Sequence, residues 1–173
     1  MTPEVESCHQ QHLDKNPAGY CGPPTAQEVF VSMMRTQIAP ALRALGLKGS
    51  GQVFELPHPA SWALLGFQRS AHNTEGHVEL PVNVTATGKS SWAQARERLP
   101  HLPARPNPNV VYGPAAWHSR IGSLLPAAQD TWWTISPESD PSRAAGSVMA
   151  AITGYALPAI REQLPIMTAE PRH

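Results

Sequence analysis

Apolar residues recur every three to four positions between residues 27 and 45, which predicts an amphipathic helix near the start of the chain. Its apolar stripe is formed by Phe30, Met34, Ile38, Leu42 and Leu45. Gly46 follows at the position that favours a left-handed helix end. Pro40 lies inside the pattern, so we expect the helix to kink there or to restart with the proline in its first turn.

A second helical pattern runs from Asp140 to about Leu164. Asp140 and Pro141 form a start signal, because an N-cap residue is followed by a proline at the first helical position. The apolar stripe is formed by Val148, Ile152, Tyr155 and Ala159, and Pro158 interrupts it. The segments IAPALR (38–43) and ALPAIR (156–161) are similar, but no longer repeat surrounds them. We interpret the similarity as a coincidence between two kinked helices.

Patterns typical of β-strands lie between the two helices. The candidate strands are residues 52–56, 61–70, 77–87, 110–112 and 131–135. The alternation is strictest in 77–87, where Pro81 either places the strand at a sheet edge or turns its own position away from the ladder. Short loops favour antiparallel pairing, and the long helices need an apolar surface to cover. The predicted class is therefore α+β, with an antiparallel sheet of about four to five strands and the N- and C-terminal helices packed on one face.

The remaining segments set the domain organisation. Residues 1–26 and 165–173 show no periodicity and are predicted to be a flexible N-terminal tail and a C-terminal tail, which leaves 27–164 as a single domain. Residues 91–99 predict a short surface helix capped by Ser90 or Ser91. The sequence PHLPARPNP (100–108) cannot form regular structure, so we expect an exposed connection there.

Charge and composition exclude several classes of function. The 173-residue chain has 13 basic and 13 acidic residues, which is unlike the basic footprint of a nucleic-acid-binding protein. It contains no apolar run of about 18 residues, so no membrane span and no membrane partner are expected. The N-terminus lacks the basic start and apolar run of a signal peptide, so we expect a cytoplasmic protein.

The segment 117–133, WHSRIGSLLPAAQDTWW, carries the richest chemistry and holds three of the five tryptophans. His118, Arg120 and Asp130 could perform acid–base catalysis on an anionic substrate if they converged. The same side chains could instead tie a loop to the sheet. Trp132 and Trp133 are expected to point to opposite faces of a strand, so one joins the core and the other needs a helix, a partner or a ligand to cover it.

Two further groups are candidates for binding. Pairing through the 71–76 loop would bring Gln68 and Arg69 beside Asn83, and Arg69 could hold a carboxylate or a phosphate bidentately; the alternative is a solvated sheet face. Zinc-ligand residue types also occur near the N-terminus, at Cys8, His9, His12 and Cys21. Their spacing matches no common zinc motif, so we favour an ordinary tail and expect no metal. The usual nucleotide, cofactor and hydrolase motifs are absent from the sequence, and no cofactor is expected.

Four stretches of the chain resemble a bacterial family known as domain of unknown function 4304. They are LRALGLKGSGQVF, GFQRSAHNTEGHVELPVNV, WHSRIGSLLPAAQDTWWTI and YALPAI, and together they extend over about residues 27–164. The family pattern falls on Phe67, Gln68, Arg69, Ser70, Asn83, Trp117, Arg120, Ile121, Gly122, Leu125, Pro126, Trp132 and Trp133. The tail 1–26 and the connection 100–108 depart from it. The resemblance implies an α+β domain and supplies no activity.

Taken together, the sequence favours a non-catalytic binding domain over an enzyme. Its surface would be a polar and Trp-lined patch on the sheet that recognises an unknown protein or small-molecule ligand, formed by Arg69, Asn83, Trp117, Arg120 and Trp132. The alternative is a hydrolase-like enzyme that acts on an anionic substrate through His118, Arg120 and Asp130.

Overall fold

The computed structural model describes residues 22–70, 73–129 and 132–168, with side chains as far as Leu164. Seven strands are defined, β1 (Lys48–Ser50), β2 (Val53–Glu55), β3 (Ser61–Phe67), β4 (Val78–Leu80), β5 (Val82–Gly88), β6 (Trp117–Arg120) and β7 (Trp133–Ile135). The helices are α1 (Ala26–Met33), α2 (Ala39–Ala44), α3 (Lys89–Arg98), α4 (Ile121–Leu124), α5 (Pro141–Ala151) and α6 (Leu157–Thr168). Each described helix is too short or too polar to cross a bilayer.

The main sheet has five antiparallel strands in the order β1-β2-β3-β5-β6, and β4 and β7 form a second, two-stranded sheet. The longest pairing joins β3 and β5, with Leu65 opposite Val84. The predicted strand 77–87 is divided at Pro81, where the chain passes from the small sheet to the large one. The expectation that this proline marks an edge strand is wrong for β5, since β5 lies between β3 and β6. The α+β class and the antiparallel sheet are confirmed.

The two long helices cover one face of the main sheet. Alternate residues of the central strands, among them Leu65, Phe67 and Val84, are buried in one apolar core with residues of both helices. The strand period of two places Leu65 and Phe67 on this face and their neighbour Gly66 on the opposite one. This arrangement confirms the predicted packing of both helices on one side.

Both long helices contain a π-helical segment that ends two residues before a proline. Met34–Ile38 joins α1 to α2, and Ile152–Ala156 joins α5 to α6. The Ala39 amide donates to the Met34 carbonyl and the Leu157 amide to the Ile152 carbonyl, which is the i→i−5 pattern. Pro40 and Pro158 lie just beyond these segments. In an ordinary α-turn the proline ring would clash with the carbonyl four residues earlier, and the proline has no N–H to donate to it. The wider turn occurs at this position. The predicted interruptions are therefore π-helical turns within continuous helices.

The π-segments alter which residues are buried. In the second helix the stripe is Val148, Ile152, Ala156 and Ile160, whereas the predicted member Tyr155 is 39% exposed. Leu45, predicted to end the first stripe, is also exposed. The helix ends follow the sequence more closely, because Gly46 has a φ of 91° and the Asp140 side chain accepts from the Ser142 amide. The short helix α3 begins two residues earlier than predicted, at Lys89, with Gly88 at its N-cap.

The opposite face of the sheet is covered by residues 100–116, here called the covering segment. The predicted exposed connection at 100–108 is only partly right, because Leu102, Pro106 and Pro108 are buried while the other six residues are exposed. Residues 110–112 form no strand and lead into a 3₁₀ turn at Gly113–Ala115. The segment has no ladder of backbone hydrogen bonds to the sheet, so side chains must hold it in place.

Candidate functional site

A row of polar side chains crosses the sheet face beneath the covering segment. Arg120 of β6 is opposite Asn83 of β5, and His118 is opposite Thr85. Because strand residues alternate between faces, these four lie on the side away from the long helices. Asn83 is 1% exposed and Thr85 is fully buried. The structure thus brings together three of the predicted site residues, Asn83, His118 and Arg120.

These polar groups hold the covering segment. The Asn83 Nδ2 donates to Gln68 Oε1 and to Asn109 Oδ1, both at 3.0 Å. The His118 Nε2 lies 3.2 Å from the Pro108 carbonyl oxygen, which can only accept, so this nitrogen carries the proton. Part of the predicted patch, Asn83, is therefore the attachment point of the chain's own segment and is buried beneath it.

Aromatic residues anchor the other end of the covering segment. Trp92 of α3 is 1% exposed, and its Nε1 donates to the Pro103 carbonyl at 3.1 Å. Its ring meets that of Tyr112 edge to face, with centroids 4.9 Å apart. The Arg105 guanidinium lies over the Trp62 ring and pairs with Glu55 at 2.9 Å. Both ends of the segment are thereby fixed by side chains.

Burial lowers the pKa of His118, and the nearby Arg120 charge lowers it further, while the hydrogen bond to Pro108 acts in the opposite direction. The pKa of His118 is therefore lower in the folded chain than in the unfolded chain. As the pH falls below about 6.5, the unfolded chain takes up a proton at His118 more readily than the folded chain does. The free energy of unfolding should fall as the pH drops from 7.5 through this range. His118→Gln, which keeps a donor side chain, should show a smaller fall in urea midpoint between pH 7.5 and 5.5. Equal falls in both proteins would contradict the assignment.

Arg120 extends from the polar row towards Trp132. Its Cζ lies 5.3 Å from the centre of the Trp132 ring, and Trp132 is 37% exposed. Trp117 is on the other face of β6 and packs against the main core, so the structure separates it from Arg120 and Trp132. Trp133 is half-buried, and its Nε1 donates to Ser147 Oγ at 3.0 Å. Asp130 lies outside the described residues, so its approach to His118 and Arg120 stays a prediction.

Arg69 lies apart from the other predicted binding residues. It follows β3 on the helix side, with its Cζ 5.7 Å from the centre of the Phe30 ring. There it lines a cavity of about 360 Å³ between the first helix and the β1–β2 hairpin, which we call the arginine cavity. The helix contributes Phe30, Val31, Met34, Arg35, Ala39 and Arg43 to its wall.

The hairpin supplies the opposite wall of the arginine cavity through Ser50, Gly51 and Gln52. The hairpin is tied to the helix by Arg43, whose Nε and Nη2 donate to the Gly49 carbonyl at 3.2 and 2.9 Å. Gly49 has a φ of 144°, and a Cβ there would meet backbone atoms of the next strand. The Gln52 Nε2 is buried and lacks a hydrogen-bond partner among the described residues.

Sequence analysis identified Arg69 and missed Arg35, Arg43 and Gln52. A signal was present in the helix, because Val31, Arg35, Ala39 and Arg43 repeat every four residues, one position after the core stripe. This second stripe faces the hairpin. Gln52 gave no comparable signal, because its environment depends on a contact with a distant part of the chain.

The metal candidates Cys8, His9, His12 and Cys21 lie outside the described residues. Among the residues that the structure describes, no group of three or more His, Cys, Asp or Glu side chains could hold a metal ion.

A family model described as "Domain of unknown function" (DUF4304) matches residues 38–162. No curated protein and no solved structure matches the chain significantly.

Proposed function

The chain belongs to the DUF4304 family, which has no assigned activity, and from this premise we propose that it is a non-catalytic binding domain whose ligand occupies the arginine cavity. The match bears out the family resemblance found in the sequence. The observation that carries the proposal is the cavity itself. Its volume of about 360 Å³ lies within the range of roughly 300–1,000 Å³ common for small-molecule sites.

The chemistry of the cavity wall supports binding and gives no support to catalysis. The described lining residues carry guanidinium, amide, hydroxyl and apolar groups, and they include no His, Cys, Asp, Glu or Lys. General bases and activated nucleophiles in proteins come mainly from those types, and a serine needs an adjacent base. Ser50, the hydroxyl in the wall, has no such base among the described lining residues. The groups present can bind and orient a ligand.

His118, the imidazole of the alternative hydrolase hypothesis, lies on the other side of the sheet. Its Nε2 is engaged with the Pro108 carbonyl beneath the covering segment. The sheet separates it from Arg69 and the arginine cavity. We therefore place the ligand site on the helix side, with Arg69 as the residue common to the sequence hypothesis and the cavity. The Arg120 and Trp132 pair is a separate surface feature.

Filling the cavity should abolish binding. Val31 lines it and is 47% exposed, so Val31→Trp can place an indole in the cavity while leaving the main core intact. We expect fragments from a chemically mixed panel to shift the backbone amide NMR signals of lining residues in the native protein. In Val31→Trp the same fragments should cause no shift.

The matched control is Val111→Trp, which adds the same side chain at a 69% exposed position in the covering segment. This variant should bind the fragments as the native protein does. Fragments that shift signals only at other surfaces, or that bind Val31→Trp unchanged, would contradict the proposal.

A further inference from the structure

We infer that the ligand of the arginine cavity is an amphipathic oxyanion, with a carboxylate or phosphate head group on an apolar body. This inference rests on the proposed function and adds the chemical class of the ligand. It follows from two different sets of groups in one cavity wall.

The first set is cationic. Arg35, Arg43 and Arg69 all line the cavity, and no aspartate or glutamate is among the described residues of the wall. Arg43 uses two of its five N–H groups on the Gly49 carbonyl, and neither Arg35 nor Arg69 forms an ion pair with a described residue. Three like charges around one cavity repel each other, and an oxyanion between them replaces repulsion with attraction. Guanidinium groups bind carboxylate and phosphate oxygens bidentately.

The second set is apolar. Phe30, Val31, Met34 and Ala39 form the helix side of the wall between the arginines. A free inorganic anion would leave this surface without a partner, and a neutral hydrocarbon would leave the guanidinium groups without one. Met34 belongs to the π-segment, and an unbranched thioether adapts to ligands of varied shape. The cavity volume of about 360 Å³ is at the small end of the range for small-molecule sites, which suits a short amphiphile.

The test is calorimetric titration of the full chain with octanoate, octyl phosphate, 1-octanol and inorganic phosphate. At least one of the two amphiphilic anions should bind at least tenfold more tightly than 1-octanol, because charge-assisted hydrogen bonds are the stronger kind. The same anion should bind at least tenfold more weakly to the double variant Arg35→Ala/Arg69→Ala. Which anion binds more tightly identifies the head group.

The control is Arg98→Ala/Arg161→Ala, which removes the same charge from two exposed helix positions outside the cavity wall. It should retain native affinity, and a matching loss would show that overall charge, not the site, attracts the anion. Binding of 1-octanol as tight as that of both anions would overturn the inference and leave the proposed function standing. If inorganic phosphate bound as tightly as octyl phosphate, the part of the inference that gives the ligand an apolar body would be wrong. If all four probes fail to bind, the inference is wrong, and the fragment panel decides the proposed function separately.

Discussion

Trp92→Ala should lower the free energy of unfolding by about 3–5 kcal/mol, the usual cost of truncating a large buried aromatic side chain. Trp92 is 1% exposed and is the centre of the small apolar cluster that fixes the covering segment. Its loss removes the edge-to-face contact with Tyr112 and leaves the Pro103 carbonyl without its donor. Urea denaturation followed by circular dichroism measures the change.

Trp92→Phe separates packing from hydrogen bonding. It retains most of the apolar area and loses the donor to Pro103, so its cost should be about 1 kcal/mol. If Trp92→Ala cost no more than Trp92→Phe, the small cluster would contribute little to stability. That result would contradict the role given to the covering segment.

Gly66→Ala should be the second most damaging change, with a loss of about 1–3 kcal/mol from overpacking. Gly66 of β3 lies directly beneath the covering segment. A Cβ there would collide with the Asn109 side-chain oxygen and come within 2.8 Å of the Pro108 ring. Asn109 cannot move away freely, since its oxygen accepts from Asn83. The measurement is again the urea midpoint, together with loss of amide protection at Asn107, Asn109 and Val110.

Gly146→Ala is the matched control, because nothing lies within 4 Å of a Cβ added at this exposed helix position. It should raise stability by about 0.5–1 kcal/mol, since alanine favours the helix over glycine. If the same Gly→Ala substitution lowers the free energy of unfolding at residue 66 and raises it at residue 146, the contact with the covering segment is the cause of the loss. A Gly66→Ala protein as stable as the native one would show that the covering segment can shift to accommodate the methyl group at little cost in stability.

The elements that could be predicted from the sequence are those governed by local rules. Capping by Asp140, the left-handed Gly46 and the alternation in β5 each depend on neighbouring residues alone. The sequence also indicates the π-segments, because the apolar positions that are buried in both helices are spaced by four residues. Steps of four advance about 40° beyond a full turn of an ideal helix, and a wider turn takes up the difference. An ideal spacing near 3.6 residues places Tyr155 in the stripe, where the structure has Ala156.

The covering segment shows what local rules miss. Asn83 and Thr85 occupy the polar side of an alternating strand, a pattern typical of a solvated sheet face. Both are buried because a proline-rich segment from elsewhere in the chain lies over them. Proline content predicts the lack of regular structure and says nothing about burial. The grouping of Arg69 with Arg35 and Arg43 likewise depends on a tertiary contact between a strand end and a helix.

The two π-segments also bear on how this chain can change over evolutionary time. A π-turn holds one residue more than an α-turn, so deleting a residue from Met34–Ile38 or Ile152–Ala156 would restore ordinary helical bonding. The residues on either side would still face as they do now. The restored α-turn would meet the ring of Pro40 or Pro158, so the loss of one residue is compatible with the core only if that proline is replaced as well. In the first helix, such an exchange would act on the wall of the arginine cavity itself.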